Sequence, residues 1–287
     1  MKAKNAVLIS VLMLSLATMA CSISFNLPAR VDKVGPLQTQ EIVVDVPSAS
    51  EARLELRFGA GEMKLSPGAD GVLVEGTATY NVPDLSPEIE VNGNEVVIKS
   101  GTLEINGIPR FNDDVRNEWN LQLGTIPLEL FIKAGAYKGE FELGGLALKE
   151  LDVADGAAEV DMTFSLPNLV EMDRLRYDTG ASNVKLVNLA NANVTMMTFR
   201  SGAGEYLLDF GGDLKRDCLV HLESGMSSVR IVVPEGTRAI LTVNQSLAAI
   251  DMDGKWQKDG DQYFLDGEGP TIVIEVDMSA GSLELRN

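Results

Sequence analysis

Histidine, cysteine and basic residues are scarce in this 287-residue sequence, and each shortage excludes a class of function. His221 is the single histidine, so a site that needs two or three imidazoles cannot be built from one chain. Only 24 Lys and Arg stand against 42 Asp and Glu, which gives a formal charge of −18 and no clustered basic footprint for a phosphate backbone. We therefore expect no nucleic acid partner, no bound metal ion and no cofactor.

The first twenty residues have the pattern of an export signal. Residues 1–5 carry two lysines, and residues 6–20 (AVLISVLMLSLATMA) are uncharged. Fifteen helical residues span about 22 Å, short of the ~30 Å hydrocarbon core, so the run predicts a cleaved signal peptide. Loss of residues 1–20, with their two lysines and no acid, leaves a charge of −20.

Cys21 directly follows this apolar run, which resembles the bacterial lipoprotein box, where the cysteine is diacylated and becomes the first mature residue. Two acyl chains give stable anchoring. An ordinary secretory signal cut near Ala20 is the alternative. With Cys21 lipidated, Cys218 has no disulfide partner in the chain, and its place beside an apolar strand predicts a buried thiol.

A repeat of about 22 residues occupies the middle of the chain. Gly-Ala pairs or close equivalents recur at steps of 21, 24, 22 and 23 residues, at Gly135, Gly156, Gly180, Gly202 and Gly225. Apolar and polar residues alternate on both sides of each glycine, which indicates a half-buried strand on either side of a tight corner. Six copies at this period predict a single-stranded β-solenoid (β-helix), an all-β fold with about 22 residues per coil. An antiparallel sandwich is the alternative, although it needs no fixed period.

We divide the chain into four parts on this basis. Residues 1–20 are the signal peptide, and residues 21–40 are the lipid anchor with a tether that contains two prolines. Residues 41–107 form an N-terminal β region, and residues 119–287 form the solenoid repeats with a C-terminal cap.

Stacking of the copies predicts two outward rows of side chains. One row is Glu129, Asp152, Arg176, Thr198, His221 and Thr242; the other is Glu142, Asp161, Lys185, Leu207, Arg230 and Asp251. Mixed-sign rows of this kind suit a solvated wall. His221 stands between two apolar residues, so we expect its ring on the surface rather than in a catalytic or metal site.

Two clusters of polar residues could carry chemistry. Glu142, Asp161 and Lys185, on adjacent predicted rungs, are the nearest set for a polysaccharide-cleaving site, although a solvated ladder would contain the same residues. Four carboxylates, Asp251, Asp253, Asp259 and Asp261, lie around two Asp-Gly steps and could collect Ca²⁺. Asp-Gly is common hairpin chemistry, so we predict a hairpin between Trp256 and Tyr263. Asn188, Asn191 and Asn193 are expected to satisfy backbone groups at a corner.

Residues 54–65 (LELRFGAGEMKL) with 72–76 (VLVEG) resemble the start of the toast-rack envelope proteins, and Trp256–Tyr263 before residues 272–285 is similar to how those chains close. The resemblance covers roughly residues 42–285. It implies a β-solenoid of unknown function, in a family also described as adhesins, and no catalytic residues. Some relatives are membrane proteins that respond to cell-wall-active antibiotics and restrain a sensor kinase.

We therefore predict a non-catalytic lipoprotein, anchored through Cys21 to the bacterial cell membrane or envelope surface, that acts as a binding, adhesin-like or scaffold element. Its expected partners are the membrane, through the lipid, and an envelope protein or glycan. A regulator of envelope-stress signalling and a polysaccharide-active β-helix enzyme are the competing hypotheses.

Overall fold

The computed structural model describes residues 34–101, 115–246 and 248–287, and nearly all of them lie in or between β-strands. The predicted signal peptide, Cys21 and most of the tether fall outside these ranges, while β1 already begins within the segment predicted as tether. The strands are β1 Gln38–Asp45, β2 Ala52–Pro67, β3 Val72–Tyr80, β4 Pro87–Asn92, β5 Glu95–Ser100, β6 Asn117–Leu123, β7 Leu128–Glu142, β8 Leu148–Thr163, β9 Met172–Val187, β10 Val194–Asp209, β11 Cys218–Val232, β12 Gly236–Ser246, β13 Ala249–Met252, β14 Gln257–Asp259, β15 Gln262–Leu265 and β16 Gly267–Arg286. Two 3-10 helices span Pro83–Leu85 and Leu189–Ala192.

No helix in the described ranges has the length and hydropathy that crossing a bilayer requires.

The central strands are long and bend at a glycine. β7 to β11 each contain 15 or 16 residues, and the glycine of the repeat lies near the middle of each. Alternate residues are buried on both sides of the bend, as at Leu130, Ile132 and Phe141 of β7. The alternation places one face of every strand in the core, as the sequence predicts.

Neighbouring long strands, which we call rungs, pair in parallel in the order β2-β7-β8-β9-β10-β11-β16. The residue after the corner glycine keeps the same place in successive rungs: Ala60 pairs with Ala136, Ala136 with Ala157, Ala181 with Ala203, and Ala203 with Met226. The parallel direction excludes the antiparallel sandwich. The fold is an all-β, open sheet.

The two ends of the stack are built differently. The first half of β2 pairs with β5, which pairs with β4, whereas its second half pairs with β6 and so leads to β3 and β1. At the other end, the C-terminal strand β16 lies between β11 and β12 and also pairs with β13. β2, from the predicted N-terminal region, is thus the first rung of the same stack.

One continuous apolar core fills the bend of the rungs, from Ile42 in β1 to Leu285 in β16. Burial of each large aliphatic or aromatic side chain stabilises the fold by roughly 1.5–3 kcal/mol. The rings of Phe58 and Trp119 meet edge to face with centroids 5.1 Å apart, which joins β2 to β6 within this core.

Asparagine side chains tie together the connections between rungs. Asn191 Nδ2 donates to the carbonyl of Phe164 at 2.8 Å, and Asn193 Nδ2 donates to the carbonyl of Val170 at 2.9 Å. Asn168, which the sequence analysis overlooked, bonds both backbone groups of Leu148. The structural role predicted for Asn191 and Asn193 is confirmed.

The corner glycines form a column in which each backbone touches the next. A Cβ added to Gly180 would lie 2.3 Å from the carbonyl oxygen of Gly156, and a Cβ on Gly156 would lie 3.1 Å from that of Gly135. At Gly59, at the end of the column, the nearest atom would be Ser100 Oγ at 3.7 Å. The absence of a side chain is therefore a packing requirement inside the column and not at its end.

We predict that Gly180→Val destabilises the protein strongly and Gly180→Ala less so. The added carbons must push the Gly156 backbone away, and overpacking of this kind costs about 1–3 kcal/mol or more. The measurement is the free energy of unfolding in denaturant, followed by circular dichroism.

Gly59→Ala is the matched control, because its Cβ has room and its backbone needs no left-handed conformation. We expect the stability of Gly59→Ala to be unchanged or slightly raised. Gly156→Ala should have a stability between those of Gly59→Ala and Gly180→Ala. Equal stabilities for all three alanine variants would contradict the column.

Candidate functional site

The first outward row of side chains differs from the prediction at two points. Asp152, Arg176, Thr198 and His221 are neighbours as expected, but the residue beside Asp152 is Phe131 and not Glu129. The cause is that the apolar alternation of β7 continues to Ile132, so Leu130 pairs with Leu151 and Ile132 with Val153, which places Phe131 between them beside Asp152. At the far end Glu275 of β16 stands between His221 and Thr242.

The second outward row also needs two corrections. Glu140, and not Glu142, pairs with Asp161, because Gly139 occupies the inward position that an apolar residue fills in other rungs. The rings of Tyr137 and Phe141 close the space at Gly139, and their centroids lie 6.2 Å apart. Arg230 pairs with Glu284 of β16, and Asp251 lies on the other side of Glu284 rather than beside Arg230.

The three candidate catalytic residues are therefore not a converging set. Lys185 Nζ lies 3.0 Å from Asp161 Oδ1, and both side chains are half exposed. Glu142 points to a turn, where its Oε1 accepts hydrogen bonds from the amides of Gly144 and Ser165 at 2.7 and 3.1 Å. Each carboxylate already has a structural partner, which is the arrangement of a solvated wall.

His221 belongs to that wall. Its Nδ1 lies 3.0 Å from Glu275 Oε2 on the next rung, and its side chain is partly exposed. The predicted surface position is confirmed.

The acidic turn near the C-terminus forms the predicted hairpin. β14 and β15 pair antiparallel, with Asp259 opposite Gln262 and Gly260 in the left-handed region at φ 59°. Asp251 pairs with Arg286 at 2.7 Å, and Asp253 accepts a hydrogen bond from the amide of Gly254. Within the described residues, no group of three or more His, Cys, Asp or Glu side chains could hold a metal ion.

Cys218 is buried at the start of β11, as predicted. Burial in apolar surroundings raises the pKa of its thiol to about 12, so the sulfur stays protonated and unreactive at neutral pH.

One carboxylate in the outward row is buried. Glu55 is 4% exposed, and its Oε1 lies 2.8 Å from Arg57 Nε and 2.7 Å from Lys133 Nζ. The hydrogen bond from Arg57 outweighs desolvation and, with Lys133, lowers the pKa of Glu55 to about 2. Beside it the guanidinium of Arg53 lies 3.8 Å above the Phe131 ring, which explains how an aromatic side chain is covered on an outward row.

Polar side chains line the inside of the glycine corner, beneath the column. Asp155 accepts hydrogen bonds from the hydroxyls of Tyr177, at 2.8 Å, Tyr137, at 3.3 Å, and Thr179. Desolvation raises the pKa of Asp155, and the hydroxyl donors oppose that shift. We call this set, with Ser182, Ser201, Ser224 and Ser227, the hydroxyl seam; Thr179 donates to Ser182 at 2.6 Å, and Ser201 and Ser224 lie 2.7 Å apart.

A shallow depression of about 400 Å³ lies on the outer side of the same corner, across β6, β2, β7 and β8. We call it the corner groove. Its floor is made of small residues, Ala60, Gly61, Ala136, Ala157 and Ala158, and its rim carries Glu62, Glu118, Glu159, Arg116 and Lys138. Arg116 pairs with Glu118 at 2.8 Å, and Lys138 lies 3.8 Å from Glu159.

Asn117 lines this groove and is 2% exposed. Its Nδ2 donates to the carbonyl of Ala60 at 2.7 Å, whereas its Oδ1 has no hydrogen-bond partner in the part of the chain that the structure covers. A buried acceptor without a donor costs about 1–3 kcal/mol. Gly61 permits this close approach, since a Cβ there would lie 2.0 Å from the Asn117 carbonyl oxygen.

The sequence analysis did not place three members of the outward rows: Glu55, Phe131 and Glu140. The sequence does contain a signal for their positions. Counted from the corner glycine, the first outward row stands four residues before it and the second five residues after it, in β2 and in β7 to β11. Gly59 and Gly135 then assign these three residues directly. The corner groove has no such signal, because β6 lacks a corner glycine.

Comparison with known proteins finds a family match for part of the chain. Residues 33–168 match the N-terminal domain of toast_rack, DUF2154. A "putative cell adhesion protein" from Clostridium sporogenes is 20% identical, with 88% of this chain and 99% of that chain covered and a TM-score of 0.49. A "putative adhesin" from Bacteroides fragilis is 11% identical, with 88% and 97% covered and a TM-score of 0.47. Among curated proteins, none matches this chain. Likeness at these scores carries no inference about ligand or activity.

The ion pairs that the buried Glu55 carboxylate makes with Arg57 and Lys133 predict a pH-dependent contribution to stability. A carboxylate whose pKa is lowered on folding stabilises the fold at pH values above its unfolded pKa, and that contribution disappears as the pH falls towards about 2. We expect Glu55→Gln to lower the free energy of unfolding by about 1–3 kcal/mol above pH 5, and the difference from wild type to shrink between pH 5 and pH 2.

Glu235→Gln is the control for an exposed ion pair, since Glu235 meets Lys255 at 2.9 Å with both side chains well exposed. The free energy of unfolding of Glu235→Gln should differ little from that of wild type at any pH. Chemical unfolding at several pH values distinguishes the two, and a pH-independent loss in Glu55→Gln would show that shape and not charge matters there.

Proposed function

We propose that this chain, whose residues 33–168 match the N-terminal domain of toast_rack, is a toast-rack protein and a non-catalytic lipoprotein of the bacterial cell envelope that serves as a surface binding or scaffold element. In this proposal the diacylated Cys21 holds the protein at the membrane, and the stack of rungs presents its outer surface to an envelope partner.

The observation that carries the proposal is the way the outward charges are used. Lys64 pairs with Glu140 at 2.6 Å, Lys185 with Asp161, and Arg230 with Glu284 at 2.8 Å, each across neighbouring rungs. Exposed pairs of this kind contribute at most about 1 kcal/mol each to stability. They favour a stiff, soluble wall on which a binding surface can be displayed, over a cleft with a free acid and base.

The finer architecture belongs to the same proposal. Each long strand with its connection is taken as one coil of about 22 residues in a single-stranded β-solenoid. The parallel pairing of rungs and the continuous core support this architecture. A stack of coils buries its core only through its neighbours, so it gives an elongated surface rather than an enclosed pocket.

The anchor rests on the sequence. An uncharged run of fifteen residues after two lysines, closed by Ala20-Cys21, has the order of a lipoprotein signal. A diacyl anchor holds a protein stably where one chain gives only marginal binding.

We predict that Cys21→Ser releases the protein from the membrane. Fractionation of cells should find wild type in the membrane pellet, extracted only by detergent, and the variant in the soluble exported fraction. Cys218→Ser is the matched control, since its thiol is buried in the fold, and it should stay in the membrane. Continued membrane association of the Cys21 variant would contradict the anchor.

We also predict no depolymerising activity towards envelope or plant polysaccharides. Incubation with the purified protein should release no reducing ends, and Asp161→Asn should behave as wild type. Activity that is present in wild type and lost in Asp161→Asn would overturn the non-catalytic function.

A further inference from the structure

We propose that the edge of β1 pairs antiparallel with β1 of a second copy of this chain, so that two copies form a dimer with two-fold symmetry. The inference goes beyond the proposed function, because neither an anchor nor a binding surface requires more than one copy. It concerns the N-terminal end of the stack, where the described sheet begins with β1.

β1 is the longest strand that pairs on one side only in the described part of the sheet. Its eight residues pair with β3 and with no second strand among the described residues. The other strands of this kind are shorter: β4 has six residues, β13 four and β14 three. Natural sheets protect their edges with short strands, prolines and lysines. β4 begins with Pro87, whereas β1 contains neither proline nor lysine, so the edge of β1 is the most open to pairing.

Exposed apolar side chains are concentrated at this edge. Eleven large hydrophobic residues are exposed in the described ranges, and four of them lie within residues 34–46: Val34, Leu37, Val43 and Val46. Val43 is 59% exposed on the outer face of β1, between the buried Ile42 and Val44. A strand added beside β1 would cover part of the Val43 side chain and remove apolar surface from water.

The alternation of β1 restricts the strand that can be added. Residues directly opposite each other in an antiparallel pair lie on the same face of the sheet. The added strand therefore needs apolar residues on the face of Ile42 and Val44 and polar residues on the outer face. β1 itself has this pattern, so a second copy supplies the strand that the edge requires.

Charge selects one register for two β1 strands. With Ile42 opposite Ile42, Glu41 lies opposite Val43 of the second copy, and Asp45 lies opposite Thr39. The next registers that preserve the alternation place Glu41 opposite either Glu41 or Asp45, and like charges directly opposite each other destabilise a sheet. A shift by a single residue would oppose core-facing and outward residues. The two-fold axis of the dimer therefore passes beside Ile42.

We expect the dimer to be weak in dilute solution. An eight-residue strand is about 27 Å long, which places its pairing among small interfaces, below about 1,200 Å² in total. In the anchored protein proposed above, copies share one membrane surface, and this confinement raises their effective concentration. That gain depends on the anchor, but the pairing does not and can be measured on the lipid-free chain.

The test is sedimentation equilibrium of the mature chain carrying Cys21→Ser, at about 0.15 M salt to screen the repulsion between acidic copies. We expect a monomer–dimer equilibrium. Val43→Glu places a second carboxylate opposite Glu41 on both sides of the axis, so it should raise the dissociation constant about tenfold or more. Leu169→Glu is the matched control, because Leu169 is 62% exposed in the connection between β8 and β9, and it should change the dissociation constant less than about twofold.

A mixture of two variants tests the partner and the register together. When Val43→Glu chains are mixed with Glu41→Lys chains, the new carboxylate of one copy lies opposite the new ammonium group of the other. We expect the mixed dimer to be about tenfold tighter than the Val43→Glu dimer. Equal melting temperatures show that all three variants are folded.

Three results would overturn the proposal. One is a wild-type chain that is still monomeric at about 1 mM. Another is the same dissociation constant for Val43→Glu and Leu169→Glu, which would place a dimer contact elsewhere. The third is a mixed dimer no tighter than the Val43→Glu dimer, which would exclude this register. Fractionation of Cys21→Ser measures the anchor separately, so a monomeric chain would leave the proposed function standing.

Discussion

The contact between glycine backbones at the corner is the constraint on which the rest of this structure depends. Gly180 sits so close to the carbonyl oxygen of Gly156 that a methyl group would overlap it, and Gly202 and Gly225 repeat that contact on their own neighbours. Such contacts allow every rung to turn at the same height. Once the turn is aligned, residues at equal distances from the glycine become neighbours, and parallel pairing, core and outward rows all follow from that alignment.

The corner is also where polar chemistry enters an otherwise apolar interior. A tight bend leaves little room for large side chains, so Thr179, Ser182 and the serines beyond them fill it and bond to one another. Asp155 accepts hydrogen bonds from four hydroxyl groups at one end of that seam. On the outside, the same small residues leave a shallow depression between charged rims. The interior seam and the exterior groove are thus two results of one steric restriction.

The corners and the alternation of apolar residues predicted an all-β stack correctly, because both are local features of the chain. The outward rows were predicted less well, since Gly139 interrupts the alternation in β7 and moves the apparent register from Glu140 to Glu142. The groove could not be predicted, because β6 reaches the second half of β2 only through pairing between residues distant in sequence. For the same reason no periodic pattern revealed that β16 stands beside β11.

That position of β16 affects the order in which the protein can be completed. As the chain folds, rungs β7 to β11 can add one after another, each on the edge left by the last. β12 follows next in sequence, yet in the described stack it pairs with β16 and β15 and not with β11. The edge of β11 therefore stays open until the final twenty-residue strand arrives. β16 is thus the strand that closes the stack, and until it has paired, the molecule displays an unpaired edge at β11 that could pair with another chain.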